Sequence, residues 1–457
     1  MILRRVLIAN RGEIAVRVMR TCRRLGVETV LAVTAADADT VPARLADTTI
    51  ELGGGGYLDV NAVVEAAAAA AADAIHPGYG FLSENPRLAR ACEAAGIVFI
   101  GPGADVLEAA GDKLAARGHA VAAGLPVLPG GLVIDGASGV DEAGVLAARI
   151  GYPVLIKAAG GGGGRGLRVV RDPADLAEAV AVGSAEAQAA FADPRVYLER
   201  YVSPARHVEV QLLGDGENVI HLGDRDCSVQ RRYQKLIEEA PAPRLGETLR
   251  VGMRAAAVAL GLHLKYQGLG TVEFLVDAER SEFWFLEVNA RIQVEHPVTE
   301  AVTGFDLVAE QIAVAEGRRL RLSQASVRLD GHAIECRINA EDPAARFRPS
   351  PGTVTSAVFP AGPGIRVDTH IQAGSAVPPQ SDSLLAKLVA SGGSRAEALD
   401  RLRGALARCE IGGVATTLPV LAALAADDKF AAGGVGTEYL ARWLGRETQP
   451  VRDHEHA

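Results

Sequence analysis

Apolar and polar positions along the chain follow two periods, and their order predicts alternating strands and helices. Val6–Ala9 is a short apolar run of buried-strand length. Ile14, Val18, Cys22 and Leu25 follow at helical spacing, and Gly26 is placed to close that helix. Val30–Val33 reads as a second strand, so the chain opens with a βαβ unit. The pattern continues with a helix from Asn61 through an alanine run and a strand into Ile75. Next come a helix capped by Asn85 with Pro86 just inside, and a strand over Ile97–Ile100 ended by Gly101-Pro102-Gly103. Residues 1–112 are therefore expected to form a parallel, doubly wound sheet. A Gly/Pro-rich stretch, Gly124 to Gly131, marks a hinge into a smaller unit over about 132–203. From about 204 strands dominate, up to a helix near Asp306–Glu316, and a last unit covers 330–445. The polar stretch 446–457 reads as a frayed tail. No internal repeat is present in this order.

Composition narrows what such a chain does. Its 457 residues correspond to roughly three domains of ~150 residues. Hydrophobic residues make up 49% and charged residues 23%, ordinary globular usage that excludes a largely disordered chain. The net charge of −9 gives no basic excess for nucleic acid or an anionic membrane, and 4% aromatics do not make a base-stacking platform. The cysteines Cys22, Cys92, Cys227, Cys336 and Cys409 are odd in number and contain no C-x-x-C pair. That pattern argues against a disulfide framework or a cysteine zinc site and for a reducing compartment. No apolar run reaches the ~18 residues of a membrane span, and the first ten residues are too short in apolar core for a signal peptide. The expected location is the cytoplasm.

Three stretches carry chemistry. The first is a strand, Pro153–Ala159 with Lys157 in it, running into five glycines at Gly160–Gly164, then Arg165 and Gly166. A loop without Cβ atoms aims several backbone N–H groups at phosphate oxygens. It is neither a Walker loop nor a dinucleotide fingerprint, and the competing reading is a flexible linker. A lysine-bearing strand directly before it favours a mobile phosphate lid. The second stretch is a hairpin, Gly270–Asp277 and Phe283–Asn289, joined by a loop at Ala278–Glu282. Antiparallel register sets Glu273 opposite Glu287 and Thr271 opposite Asn289. The other face is then expected to be Val272, Phe274, Val276, Trp284, Leu286 and Val288, all apolar. Facing carboxylates are unfavourable without a cation between them, and two Glu with one Asn suit Mg²⁺. The third stretch follows directly. Arg291, Gln293 and Glu295 alternate, so an extended segment puts a cation, an amide and a base on one side. His296 falls on the other side, before Pro297, and reads as a structural histidine.

Five motifs in order carry a resemblance. They are HPGYGFLSEN at His76–Asn85, KAAGGGGGRG at Lys157–Gly166, EEAPAP at Glu238–Pro243, NARIQVEHPVTE at Asn289–Glu300 and ECRINAEDP at Glu335–Pro343. From Leu3 to about Leu444 the chain resembles biotin carboxylase, the ATP-grasp component of biotin-dependent carboxylases. The resemblance implies a mixed α/β and α+β fold in three parts. These are an N-terminal Rossmann-like (pre-ATP-grasp) domain at 1–112, an ATP-grasp domain at 113–329 with its lid, and a C-terminal domain at 330–445. It implies ATP contacts from Lys113, Lys157, Gly163, Gly164, Glu199, Arg200, Tyr201, Val202, His207, Gln230, Tyr233 and Leu275, with Glu273 and Glu287. Mg²⁺ or Mn²⁺ would be carried by Glu273, Glu287 and Asn289. Bicarbonate would lie near Lys235, Arg291, Gln293, Val294 and Glu295, and biotin near Tyr79, Gly80 and Arg337. Catalytic roles would fall to Glu295, Arg291, Lys235 and Arg337. The implied reaction is ATP-dependent carboxylation of biotin through carboxyphosphate, the first half-reaction of acetyl-CoA or another acyl-CoA carboxylase.

The chain also departs from the family pattern. Tyr233 stands where the family usually has His, Arg200 where it has Lys, and Ser381 where an aromatic is common. A phenol is neutral at pH 7, so the phosphate contact at Tyr233 is the one called into question. The only methionines are Met1, Met19 and Met253, so no Met-Lys-Met biotinylation site is present. Biotin is therefore expected on a separate biotin carboxyl carrier protein, with carboxyltransferase subunits as further partners. Arg20, Arg23 and Arg24 form a cationic cluster, and the resemblance implies a homodimer using this region. Two rivals share parts of this pattern: an ATP-grasp enzyme that forms carbamoyl phosphate, and a non-catalytic nucleotide-binding scaffold. Tyr79-Gly80 and Arg337 favour biotin over the first, and the complete set of base and metal ligands argues against the second.

Overall fold

The first five strands pair in parallel in the order Thr48–Glu51, Glu28–Val33, Arg5–Ile8, Ala74–His76, Val98–Phe99. In this computed structural model residues 2–134, 139–159 and 167–445 are described. The glycine run Gly160–Gly164, with Arg165 and Gly166, and the tail 446–457 lie outside the described residues. Val6, Leu7 and Ile8 of the central strand are buried on both faces, which is why they read as a continuous apolar run. The helix Gly12–Leu25 ends where Gly26 turns left-handed at φ 72°. Asn85 caps Pro86–Ala94 by accepting from the Arg87 N–H at 2.9 Å. The expected strand at 97–100 shortens to Val98–Phe99, because the Ile97 N–H turns back to the Cys92 carbonyl and closes the preceding helix.

After Gly124 the chain builds a small antiparallel sheet. Its order is Gly130–Ile134, Val196–Arg200, Val154–Ala158, Arg168–Val170, with helices Val140–Ile150 and Leu176–Phe191 packed on it. Gly130 enters it at φ 146°, and a Cβ there would stand 2.2 Å from the Leu198 carbonyl oxygen, so only glycine lets the two strands close.

The rest of the chain is organised by one antiparallel sheet of eight strands. In order they are Glu282–Asn289, Gln267–Asp277, Arg206–Asp215, Val219–Arg231, Gln234–Ala240, His332–Asn339, Leu384–Gly392 and Ile365–Thr369. The division expected near 329 and 330 therefore does not interrupt the sheet: Ile237 pairs Cys336 and Glu238 pairs Glu335 across it. The stretch from about 204 is also less strand-dominated than expected. Glu247–His263 is a helix whose Leu249, Met253, Ala257 and Leu260 form its buried stripe. Its run of alanines and valines hides that period in the sequence. A second unexpected helix spans His296–Thr303. No helix among the described residues is long and apolar enough to cross a membrane.

Buried ion pairs tie the first helix to the later units. Arg17 lies 2.6 Å from Glu300 and 2.9 Å from Asp306, and Arg366 lies 2.7 Å from the same Glu300. The arginine cluster is engaged within the chain. Arg20 pairs Asp368 at 2.8 Å, Arg24 pairs Asp306, and Arg23 donates to the Leu45 carbonyl at 3.1 Å.

Glu300 is the carboxylate that the buried Arg17 and the partly exposed Arg366 share, and its removal leaves Arg17 to Asp306 and Arg366 to Asp368 alone. Glu300→Gln is expected to destabilise the protein by about 1–3 kcal/mol, read as a lower urea midpoint at unchanged slope. A loss under about 1 kcal/mol, the range of a surface pair, would show that this junction does not hold the units together.

Candidate active site

Two adjacent strands bring the acidic side chains together. Thr271 pairs Asn289, Val272 pairs Val288 and Glu273 pairs Glu287, as the hairpin register requires. Beyond Glu273 the register slips by one, and Phe274 pairs Phe285. This bulge corrects the expected core face. Phe285 joins Val272, Phe274, Val276 and Val288 in the core, whereas Trp284 and Leu286 leave it, because one inserted residue reverses the sides of all that follow. Burial and the charge of Glu273 push the Glu287 carboxyl up from the usual range. Burial also acts to raise Glu273, but Lys235 and His207 outweigh it and hold that carboxyl low. Asn289 donates to Glu273 Oε1 at 3.1 Å and accepts from Arg291 at 3.0 Å.

Lys235 occupies the centre. Its Nζ lies 2.7 Å from Glu209, 2.9 Å from Glu273 and 2.6 Å from Glu295. Glu209 was not among the residues predicted from the sequence. It sits on Arg206–Asp215 directly between Arg225 and Glu273 of the neighbouring strands. His207, Glu209 and Gln211 alternate with Val208, Val210 and Leu212, and that period-2 polar stripe is the signal that would have found it. Arg225, fully buried and equally unpredicted, reaches Glu209 at 2.6 Å and also donates to Gln211, Thr299 and Thr271. His207 Nε2 lies 3.0 Å from Glu273, and its Nδ1 meets the Gln230 amide at 2.7 Å. Leu275 pairs His207 in register.

The segment expected to be extended instead leaves the sheet after Asn289, and Glu295 flanks the start of the helix His296–Thr303. The turn still gathers the three polar side chains. Arg291 donates to Gln293 Oε1 at 2.9 Å and is held from behind by Glu84 at 3.0 Å. Gln293 Nε2 is buried with no hydrogen-bond partner among the described residues. Glu295 is fully buried between Lys235 and Arg337, the latter at 2.8 Å. Burial alone would raise its carboxyl, but Lys235, Arg337 and Arg225 keep it well below the usual range. Arg337 also pairs Glu238 at 2.5 Å, whose carboxyl burial pushes up to about 7. His296 is buried, with Nδ1 2.8 Å from the Gln293 carbonyl. Burial, then Lys387, Arg17 and Arg366, hold it far below the ordinary imidazole value, so it stays neutral.

The remaining predicted residues fall around this centre. Lys157 pairs Glu199 at 2.6 Å. Burial depresses the Lys113 amine, with Glu287 opposing the shift. Arg200 pairs Val154 at the end of its strand and leads into Tyr201 and Val202, and the Tyr201 ring lies 5.9 Å from the Arg171 guanidinium carbon. The Tyr79 hydroxyl donates to Glu13, and Gly80 beside it turns at φ 69°. The Val294 carbonyl accepts from Lys387 at 3.0 Å. Tyr233 sits 54% exposed at the tip of the turn between Val219–Arg231 and Gln234–Ala240, where Arg232 and Tyr233 are both left-handed. Gly163 and Gly164 lie outside the described residues.

Comparison with known proteins gives a consistent outcome. Residues 2–107 match the biotin carboxylase N-terminal domain, 112–323 the ATP-binding domain of the carbamoyl-phosphate synthase L chain, and 335–442 the biotin carboxylase C-terminal domain. The biotin carboxylase of Pseudomonas aeruginosa is 47% identical over 452 residues, 97% of this chain and 99% of that protein. Among solved structures, the biotin carboxylase domain dimer of Hydrogenobacter thermophilus 2-oxoglutarate carboxylase, with MgADP, ADP and bicarbonate, superposes with a TM-score of 0.92. It is 44% identical and covers 97% of this chain and 98% of that one. A pyruvate carboxylase of Rhizobium etli also superposes with a TM-score of 0.92, at 42% identity. That match takes in 99% of this chain and 41% of the longer one.

The two facing carboxylates differ in sign of effect, and the difference is measurable. Glu287 is raised in the folded state, so the unfolded chain gives up its proton first and stability falls as pH rises past the ordinary carboxylate range. Glu287→Gln is expected to raise the melting temperature of the ligand-free protein at pH 7–8, with the gain vanishing near pH 4. Glu273 is lowered, so Glu273→Gln is expected to lower the melting temperature at pH 7, by less as pH falls. The same sign for both variants at pH 7 would contradict this assignment of charge.

Proposed function

The chain belongs to the biotin carboxylase family, and we propose that Glu295 is the base with which it activates bicarbonate. The protein is an ATP-grasp ligase that couples ATP cleavage to the carboxylation of biotin. The observation that carries the site reading is the position of Glu295: fully buried, bonded to Lys235 and Arg337, and next to the Arg291–Gln293 pair. The unpartnered Gln293 amide, Arg291 and the Val294 turn offer donors for one small planar anion.

In the ligand-free state three cations, Lys235, Arg337 and Arg225, suppress the basicity of Glu295. When Lys235 turns toward incoming phosphate, Glu295 loses one of them, and its proton affinity rises toward that of a working base. It then takes the bicarbonate proton. The bicarbonate oxygen attacks the γ-phosphorus of ATP, the bond to the ADP oxygen breaks, and carboxyphosphate forms. Lys157 and Lys235 offset the charge that develops on the transferring group. Carboxyphosphate releases CO₂ and phosphate, the phosphate removes the ureido N–H proton, and the biotin nitrogen bonds to CO₂. Arg337 stabilises the enolate oxygen of biotin, beside Tyr79 and Gly80. The lid excludes water that would hydrolyse carboxyphosphate.

Glu273, Glu287 and Asn289 fit a divalent cation. Glu287 has no cation at contact distance among the described residues, although its neighbour's charge disfavours its ionised form. Mg²⁺ or Mn²⁺ held there supplies charge neutralisation for the phosphates. Lys113, Glu199, Arg200, Tyr201, Val202, His207, Gln230, Tyr233 and Leu275, with Gly163 and Gly164, would line the nucleotide. The division of the chain follows as 1–112, 113–329 and 330–445 by function, although one sheet runs through the last two. The biotin arrives on a separate carrier protein, carboxyltransferase subunits take the carboxyl group onward, and the enzyme is a homodimer in the cytoplasm. Relatives of nearly equal identity belong to different carboxylases. The half-reaction common to them is therefore assigned here, with an acyl-CoA such as acetyl-CoA as the eventual acceptor.

Glu295→Gln keeps the shape of the site and cannot take a proton. Bicarbonate-dependent ATP cleavage is expected to fall by about 10²–10⁴-fold while ATP binding, followed by calorimetry, is retained. Near-normal turnover would remove Glu295 as the base. Tyr233→Phe is expected to weaken ATP binding by about 0.5–1.5 kcal/mol, the net worth of one neutral hydrogen bond. An unchanged affinity would leave Tyr233 a residue of the turn alone.

A further inference from the structure

Lys387, on the strand Leu384–Gly392, has no exposed side chain and lies where the three units meet. A buried ammonium needs a counter-charge and acceptors for its N–H groups. Its Nζ lies 3.0 Å from Glu13 Oε2 on the first helix and donates to the Val294 carbonyl at 3.0 Å. Glu13, itself buried, accepts from the Tyr79 hydroxyl through its other oxygen. A line of contacts therefore runs from Tyr79 through Glu13 and Lys387 to Val294. One end is the residue assigned to biotin, and the other is the peptide between Gln293 and Glu295, assigned to bicarbonate. None of its members is among the residues assigned to the nucleotide.

The surroundings point the same way. Arg337 and Asp368 lie directly across from Lys387 on its two neighbouring strands. Glu335, next but one to Arg337, has both carboxyl oxygens buried without a hydrogen-bond partner. Lys387 is thus bonded to the loop and the first helix while acidic neighbours stand on its own sheet. An apolar side chain of similar length would fill this space, so packing alone does not require a cation here.

We propose that Lys387 is a positioning residue for the carboxylation reaction. Its ammonium fixes the Val294 turn that presents Gln293 and Glu295 and, through Glu13, the Tyr79 hydroxyl, so one cation keeps the bicarbonate and biotin pockets in register. The inference rests on the site reading above and adds a residue to it.

The test is steady-state kinetics of the full-length enzyme with ATP, bicarbonate and free biotin varied in turn. Lys387→Met is expected to raise KM for bicarbonate and for biotin by on the order of tenfold to a hundredfold, with KM for ATP within about twofold. Lys387→Arg, whose rigid fork does not reproduce both contacts, is expected to restore only part of the loss. A purely structural lysine would lower the active fraction, and so the apparent kcat, with all three KM values unchanged; that result overturns the proposal. If the methionine variant does not fold, Glu13→Gln supplies the reading. It should raise KM for biotin and leave that for bicarbonate in biotin-free ATP cleavage alone, and an unchanged biotin KM overturns the proposal. The two readings fail separately. An active Glu295→Gln enzyme removes the site reading, whereas an inactive one beside a Lys387→Met enzyme with normal KM values removes only the positioning role.

Discussion

Three carboxylates, Glu209, Glu273 and Glu295, converge on the single ammonium of Lys235 inside the protein. Out of water no one of them is tolerable alone, and one cation does not neutralise three anions. Each is therefore shared with a second basic group: Glu209 with Arg225, Glu273 with His207 and Glu295 with Arg337. Such an array is weak evidence for stability, since well-packed apolar residues often do as well. Its value lies in what it holds ready. In the proposed mechanism anionic substrates would compete with the carboxylates for the same cations, so each arrival would redistribute charge and change the basicity of Glu295.

That constraint explains the sheet. Glu209, Arg225, Lys235, Glu273 and Arg337 come from five consecutive strands of one antiparallel layer, where partners across a pair are held at fixed spacing. Arg337 belongs to the C-terminal unit, and it reaches Glu295 because His332–Asn339 pairs directly with Gln234–Ala240. The N-terminal unit contributes from outside the sheet, with Glu84 behind Arg291 and Glu13 against Lys387. The Glu300 junction with Arg17 and Arg366 keeps that unit pressed against the others.

Glu273 and Glu287 show how environment separates two chemically identical groups. They face each other across one hairpin, yet Lys235 and His207 hold one ionised while burial and its neighbour push the other toward its neutral form. A divalent cation held between them, as proposed above, would need both as anions and would complete the charge balance that these side chains leave unfinished.

Much of this was legible in the sequence, and the limits have a physical cause. Side chains alternate along a strand, so the pattern of Gly270–Asn289 placed Glu273 opposite Glu287 through a local hairpin. Motifs around Tyr79, Glu295 and Arg337 identified the family because chemistry demands particular residues at particular spacings. The bulge beyond Glu273 left no trace, since Trp284, Phe285 and Leu286 are all apolar and either register reads alike. The helix Glu247–His263 was hidden by small apolar residues on both its faces. Arg225 and Lys387 carried no local signal of function, because what distinguishes them is which strand lies beside theirs, whereas Glu209 was marked only by its alternation with His207 and Gln211. Sequence order determines alternation and turns, which depend on neighbours a few residues away. The pairing of distant strands, and with it the sharing of buried charge, was decided only when the whole sheet closed.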